Sequence, residues 1–211
     1  MCLRFDDLVS ESMVNQLHER PLEYSFVWSC LAPLTLVPGK CRGEVKILDV
    51  GGGESRLAKV LARLGFDVTV LDIGEVDCGS AKYVKANVLD HEFPEESFDI
   101  ILSVSTVEHI GLQSYGQVKQ DEEGDVKTMG KIYRWLKPCG LALVTLPYGK
   151  PHHPPTFERV YNKESLRKRI LPNHWLVLRE EYICCDVAWR RCLEWETKDR
   201  DSAVLLLLQK G

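Results

Sequence analysis

Acidic residues and a run of glycines stand together in the segment VKILDVGGGES, which places Asp49 just before Gly51, Gly52 and Gly53. An apolar run that enters a glycine turn predicts a strand opening into a helix. Glycine lets the backbone approach a ligand and adopt positive φ, and the start of a helix offers unpaired N–H groups. The turn is therefore expected to bind a cofactor.

A second carboxylate, Asp72, ends the next apolar run, VTVLDI. A carboxylate at the end of that strand can accept both hydrogen bonds of a ribose diol, so we expect a nucleoside. A dinucleotide fingerprint needs a third glycine where Arg56 stands, and Asp49 would repel a diphosphate while suiting an ammonium group. These features disfavour a nicotinamide cofactor. A glycine turn that binds nothing is the alternative, and the pairing of Asp49 with Asp72 argues against it.

Side chains suited to proton transfer follow two later apolar runs. Glu108 and His109 come after the fourth run, and His152 and His153 come after the fifth. Histidine is the usual general base near neutral pH, and loops at the carboxyl ends of parallel strands face the ligand crevice. For Glu108 and His109, orienting a loop or capping a helix is the alternative role. No third ligand is spaced for zinc beside the two adjacent histidines, so no metal site is predicted.

The elements that would position these residues alternate in type along the chain. Short apolar β-branched runs separated by helix-length segments are typical of a buried parallel sheet. The predicted strands are 45–50, 67–71, 82–86, 98–104, 141–146, 176–185 and 203–209, and the last two can pair as an antiparallel hairpin. Apolar residues at helical spacing predict helices over 55–64, 126–136 and 163–170.

The whole chain, 1–211, is predicted to be one α/β doubly wound domain, with a mostly parallel seven-stranded sheet. Residues 1–43 would form a helical cap, because Leu8, Met13, Val14 and Leu17 recur at helical spacing. Residues 44–149 would bind the cofactor, and 150–211 would form the substrate side. The acidic loop 111–125 is placed to serve as a substrate lid.

Composition narrows the classes of function. The chain carries 45% hydrophobic and 27% charged residues, with a formal net charge of -4. A negative protein offers no polycationic surface to a phosphate backbone, so no nucleic-acid partner is expected. The acidic N-terminus resembles no signal peptide and no run reaches membrane-spanning length, so a cytoplasmic protein is predicted. The sequence indicates no oligomeric state.

Several segments resemble one enzyme family, in the family's own order. ILDVGGGESRLAKVLARLGFDVTVLDI, ANVLDHEFPEESFDIILSVSTVEHI and KIYRWLKPCGLALVTLPYG together cover 45–149. They resemble class I S-adenosylmethionine-dependent methyltransferases of the small-molecule, methyltransferase type 11-like branch. The departures from that pattern are Ser55 for the usual third glycine, Asn87 for an acid, and Cys139 for the first glycine of a Gly-Gly turn.

This resemblance implies a Rossmann-like fold, S-adenosyl-L-methionine as the cofactor, and a role for each matching residue. The glycine turn and Asp49 would hold the methionine part. Asp72 and Ile73 would lie at the ribose and adenine, Asn87 and Val88 at the adenine edge, and Ser103 on the floor of the pocket.

The resemblance also implies an activity, which is methyl transfer to the oxygen or nitrogen of a small polar metabolite, with sugars and glycan precursors among the candidates. Exocyclic-amine methylation is disfavoured because Ser103 and its neighbours replace the Asn/Asp-Pro-Pro-aromatic signature. For a hydroxyl acceptor His109 is the first candidate base. The alternative is a sensor or scaffold that binds S-adenosylmethionine without catalysis.

Overall fold

The computed structural model describes residues 19–35, 42–54, 56–117, 120–152, 155, 157–172, 174–197 and 201–211. Most of the predicted N-terminal cap, including its helical spacing at 8–17, lies outside these residues, as do Ser55 and His153. No helix in the described ranges combines the length and apolar character needed to cross a membrane.

Eight strands within the described residues form one mixed sheet, in the order β3-β2-β1-β4-β5-β8-β6-β7. The first five run parallel, and β8 pairs antiparallel with both β5 and β6. Their bounds are β1 Lys46–Val50, β2 Asp67–Asp72, β3 Lys82–Lys85, β4 Phe98–Val104, β5 Leu136–Pro147, β6 Trp175–Cys185, β7 Trp189–Cys192 and β8 Ser202–Lys210. The doubly wound, mostly parallel prediction is confirmed.

The sheet has one strand more than the seven predicted. The extra strand, β7, is a four-residue edge strand that pairs antiparallel with the end of β6. Its sequence, WRRC, is too short and too basic to stand out by hydrophobic alternation. The late antiparallel pair is confirmed, with β6 and β8 paired from Trp175↔Lys210 to Cys184↔Ser202 and a shift of register between Val177 and Arg179.

Helices cover both faces of the sheet. They are α1 Arg20–Thr35, α2 Leu57–Arg63, α3 Gly124–Trp135 and the short α4 Lys163–Ser165, which continues as a π-helical turn, Leu166–Ile170. One core packs α1 and α2 against the sheet face that carries Ile47. The opposite core packs α3 against the face that carries Leu48 and Val50. Because alternate residues of a strand face opposite sides, a sheet covered on both faces favours a largely apolar run, which in β1 is interrupted by Asp49 and in β4 by Asp99 and Ser103.

The register of the parallel strands brings the predicted chemistry to one edge. Val50 at the end of β1 lies beside Leu71, one residue before Asp72. Val104 ends β4 next to Thr145 of β5. The glycine turn, Asp72 and the segment after β4 therefore leave the sheet at the same carboxyl edge, where ligands bind in open α/β sheets.

A backbone irregularity interrupts the first part of β5. The pairing of β4 with β5 shifts between Phe98 and Ile100, and Cys139, within β5, has a φ of +60°. L-residues are disfavoured in this left-handed region, which glycine adopts readily. Cys139 therefore occupies a glycine-type conformation, at the position where the resembling family carries glycine.

We predict that Cys139→Gly stabilises the protein. Relief of the left-handed strain should raise the free energy of unfolding by about 1 kcal/mol. Urea denaturation of the parent and the variant measures this difference. The matched control is Cys192→Gly in β7, where extended backbone gives glycine no advantage and stability should fall. A lower stability of Cys139→Gly than of the parent would contradict this account.

Candidate functional site

The glycine turn packs directly against the segment that follows β4. Gly51 has a φ of +72°, and its N–H donates to the carbonyl of Leu71 at 2.8 Å. A Cβ on Gly51 would lie 2.2 Å from Cγ2 of Thr106. Both the backbone conformation and this contact require glycine. The turn is thereby held between the ends of β2 and β4.

The Asp72 carboxylate joins two turns of the backbone. Its Oδ2 accepts a hydrogen bond from the Gly53 N–H at 2.8 Å, and its Oδ1 accepts one from the Gly74 N–H at 2.8 Å. A Cβ on Gly53 would lie 2.6 Å from Oδ2, so glycine permits this approach. An ionised carboxylate has about four lone-pair sites, and two backbone donors leave acceptor capacity for a diol.

These groups line a cavity of about 310 Å³ at the carboxyl edge of the sheet. Its walls come from the ends of β1, β2 and β4 and from the segments that follow β2 and β3. The lining includes these predicted site residues: Gly51, Gly53, Asp72, Ile73, Asn87, Val88 and His109. One cavity thus brings together the predicted nucleoside-binding and proton-transfer residues.

Four of the predicted residues that lie outside the described lining of this cavity are buried: Asp49, Gly52, Ser103 and Glu108. Asp49 lies against the turn, where a Cβ on Gly52 would meet its Oδ2 at 2.6 Å. Ser103, predicted to floor the pocket, is enclosed within β4, and Val104 and Ser105 line the cavity instead. The sequence pattern located the segments that form the cavity without showing which side chains reach it.

The histidines after β5 are not part of this cavity as described. His152 lines a separate cavity of about 860 Å³, whose wall also includes Arg159 and Tyr161. His153 lies outside the described residues. Among the described residues no group of three His, Cys, Asp or Glu side chains is arranged to hold a metal ion. The structure therefore separates His152 from the glycine turn.

Helix α1 contributes a residue that sequence reasoning missed. Arg20 lines the cavity, and its Nη1 donates to the carbonyl of Val104 at 3.3 Å. One turn later, the buried Glu23 accepts hydrogen bonds from the hydroxyls of Ser105 at 2.6 Å and Thr145 at 2.5 Å. Burial raises the pKa of Glu23, although the two hydroxyl donors lower it. These contacts fix the start of α1 over the ends of β4 and β5.

His109 has a defined ring orientation. Its Nδ1 lies 2.8 Å from the carbonyl oxygen of Phe157. A carbonyl only accepts, so Nδ1 carries the proton and Nε2 carries the lone pair of the neutral ring. Nε2 is 3.7 Å from Oε1 of Glu108. Complete burial raises the pKa of Glu108 well above its ordinary value, and Oε2 accepts no hydrogen bond from the described residues.

Comparison with known proteins agrees with this geometry. A family model described as a methyltransferase domain matches residues 48–144. A ubiquinone biosynthesis O-methyltransferase from Bartonella quintana is 27% identical over 221 aligned positions, covering 93% of this chain and 86% of that protein. These matches support a class I S-adenosylmethionine-dependent methyltransferase. The predictions of the family, of enzymatic activity and of S-adenosylmethionine as cofactor are confirmed.

Solved structures show the fold of this methyltransferase in other proteins. A 1,6-didemethyltoxoflavin-N1-methyltransferase from Burkholderia thailandensis, with bound 1,6-didemethyltoxoflavin and S-adenosylhomocysteine, has a TM-score of 0.57 and 15% identity, covering 95% of this chain and 86% of that one. An S-adenosylmethionine-dependent methyltransferase from Mesorhizobium loti has a TM-score of 0.59 and 12% identity, covering 93% and 99%. At these identities the likeness concerns the fold alone.

We predict that Asp72→Asn weakens S-adenosylmethionine binding to the methyltransferase. Replacing one carboxylate oxygen by a donor should cost about 1.5–3 kcal/mol, the range for a hydrogen bond to a charged group. Calorimetric titration measures the loss. Asp77→Asn is the matched control, because Asp77 is exposed, pairs with Lys59 and lies outside the described lining. Unchanged affinity in a folded Asp72→Asn protein would show that Asp72 does not bind the ribose.

We predict that Glu108→Gln stabilises the methyltransferase more strongly as the pH rises. Because burial raises the native pKa, the unfolded chain ionises first, and parent stability falls by up to about 1.4 kcal/mol per pH unit until the native pKa is reached. Glutamine removes this loss, so the two proteins should converge below the ordinary carboxyl pKa. Urea denaturation across that pH range tests this, with the exposed Glu95→Gln as control. A pH-independent difference would contradict it.

Proposed function

We propose that this methyltransferase transfers a methyl group to a hydroxyl oxygen of a small molecule, with His109 as general base. The observation that carries the proposal is the shared cavity: His109 lines the same space as the glycine turn and Asp72. The hydrogen bond between Nδ1 and the Phe157 carbonyl leaves the lone pair on Nε2. A relative of this chain is named as an O-methyltransferase, which supports oxygen as the acceptor atom.

The described residues fit the cofactor in type and place. We propose that Asp72 accepts hydrogen bonds from the ribose, while Ile73 and Val88 flank the adenine and Asn87 contacts its edge. The backbone of the glycine turn would approach the methionine part, as Gly51 and its positive φ allow. Asp49 and Ser103 would act from beneath this surface, since both are buried outside the described lining.

The methionine carboxylate needs a cation, and Arg20 supplies one in the same cavity, beside the end of β4. We propose that this guanidinium contacts the carboxylate, because charge-assisted hydrogen bonds to arginine are among the strong ones. Glu23 would keep the start of α1 in place through Ser105 and Thr145. The first turn of α1 would therefore complete the cofactor site.

His109 would remove the proton from the acceptor hydroxyl. The bound cofactor provides a methyl group already activated by a cationic sulfur, so the protein mainly positions the nucleophile and excludes water. A neutral hydroxyl is a poor nucleophile, and Nε2 of His109 would take its proton as the new bond to oxygen forms. Glu108 is a weaker candidate, because it is enclosed outside the described lining and burial raises its pKa.

The acceptor side would include residues from the second half of the chain. The Phe157 carbonyl, within the predicted substrate segment 150–211, holds the ring of His109. We propose that this segment and the loop 111–117 enclose the acceptor. A polar metabolite such as a sugar stays a prediction from the sequence, and an acceptor screen with sugars, aliphatic alcohols and phenols would identify the class.

We predict that His109→Ala lowers turnover of a hydroxyl acceptor by about 10²–10⁴, the usual contribution of a general base. Its affinity for S-adenosylmethionine should stay near that of the parent, because Asp72 and the glycine turn are unchanged. Single-turnover kinetics and calorimetry measure the two quantities. His152→Ala changes the candidate in the separate cavity and should retain turnover, and the exposed His174→Asn is the control.

Three results would change this assignment. Parental turnover by His109→Ala would exclude this histidine as the base. Loss of turnover in His152→Ala alone would move the catalytic site to the separate cavity. Tight cofactor binding without methylation of any acceptor in the screen would favour the sensor or scaffold interpretation.

A further inference from the structure

Two aromatic rings at the wall of the cavity, those of His109 and Tyr115, meet a third ring, Phe157, which lies outside the described lining. The ring centroid of His109 lies 5.1 Å from that of Tyr115 and 4.8 Å from that of Phe157, with interplanar angles of 83° and 67°. Tyr115 and Phe157 are 5.6 Å apart and tilted by 45°. We call these three residues the aromatic cluster. The proposed base is thus one member of a continuous aromatic surface.

The other two members of the aromatic cluster are unusually open to solvent. Tyr115 is 56% exposed and Phe157 is 52% exposed, although both are large apolar rings in contact with a buried histidine. Tyr115 also lines the cavity. Ligand sites are lined predominantly by apolar and aromatic side chains, with a few polar groups that orient the ligand. The aromatic cluster has this composition, and His109 provides the polar group.

The backbone at Tyr115 adopts a strained conformation that neighbouring hydrogen bonds hold in place. Its φ is +52°, in the left-handed region that a bulky residue rarely adopts. The flanking residues bond back to the His109 carbonyl, from Ser114 Oγ at 3.1 Å and from Gln117 Nε2 at 2.9 Å. Gln117 Oε1 also accepts from the Gly111 N–H at 2.9 Å. Strained residues persist where surrounding contacts impose them, which occurs often at ligand sites.

The same loop is fixed from its other side by Arg159. This buried guanidinium donates to the carbonyl oxygens of Glu108 and Ile110 through Nη1, and to those of Asp121 and Glu122 through Nη2, at 2.7–3.2 Å. The backbone on both sides of Tyr115 is therefore tied to the segment that carries His109. Tyr115 is part of a formed wall in the structure.

We propose that Tyr115 and Phe157 determine acceptor specificity by packing against a planar, unsaturated ring that carries the reacting hydroxyl. This inference rests on the proposed function, because it places the acceptor oxygen beside His109. Aromatic rings favour offset-stacked or edge-to-face contacts with centroids 4.5–7 Å apart, which a puckered saturated ring cannot reproduce. Phenol-type acceptors are therefore preferred over sugars and other saturated alcohols.

Catechol and cis-1,2-cyclohexanediol test this preference, because both carry adjacent hydroxyls on a six-membered ring and only catechol is planar. Ligand-observed NMR titrations in the presence of S-adenosylhomocysteine measure the affinity of each probe. We expect the parent protein to bind catechol roughly tenfold more tightly, and Tyr115→Leu and Phe157→Leu each to weaken catechol binding by about fivefold to tenfold. Tyr115→Phe keeps the ring and should bind catechol nearly as the parent does.

A control variant and a direct contact measurement complete the test. Trp195→Leu removes an exposed aromatic ring far from the described lining and should leave catechol binding unchanged. Intermolecular nuclear Overhauser effects between catechol and the Tyr115 ring are expected in the parent protein, whether or not the leucine variants fold. Equal affinity for the two probes, absence of catechol binding, or catechol binding insensitive to Tyr115→Leu would each overturn the proposal.

These results are separable from failure of the proposed function. Catechol that binds in a Tyr115-dependent manner without being methylated would support the aromatic subsite and contradict the O-methyl transfer. Efficient methylation of a saturated alcohol, dependent on His109 and unaffected by Tyr115→Leu, would support the transfer and overturn the specificity assigned to the aromatic cluster.

Discussion

The Asp72 carboxylate, shared between the N–H groups of Gly53 and Gly74, is the interaction on which the cofactor side of this methyltransferase depends. It joins the turn after β1 to the turn after β2, and the absence of a side chain on Gly53 makes the approach possible. An ionised carboxylate that holds two backbone donors is already oriented before a ligand arrives. On the proposed assignment, the same group would bind a ribose with little further loss of side-chain conformational entropy.

Two buried carboxyl groups, rather than glycine residues, characterise the region around the ends of β4 and β5. Glu23 inserts a carboxyl between Ser105 and Thr145, and Glu108 is enclosed beside His109. Enclosing acidic groups costs stability unless they are protonated or hydrogen-bonded. Burial raises the pKa of both carboxyls, while the Ser105 and Thr145 hydroxyls and the Arg20 guanidinium, 3.7 Å from Glu23 Oε2, lower that of Glu23.

Under these proposals, cofactor binding and acceptor specificity would rest on different parts of the chain. The parallel strands supply the cofactor turn, in the region that the methyltransferase-domain model matches. The aromatic cluster draws Tyr115 from the loop after β4 and Phe157 from the segment after β5. Loops tolerate change better than the elements they connect, so acceptor preference can diverge while the cofactor site is kept.

Local sequence alone determined the parallel strands, the glycine turn and Asp72, because each depends on hydrophobic alternation or on a backbone conformation that one residue type permits. The edge strand β7 escaped prediction, since four residues carry too little periodicity. Only the tertiary structure decided that His109 shares a cavity with Asp72 and that His152 does not. It also brought Arg20 and Tyr115 to that cavity. Such placements depend on contacts between residues distant in the chain, which no local pattern records.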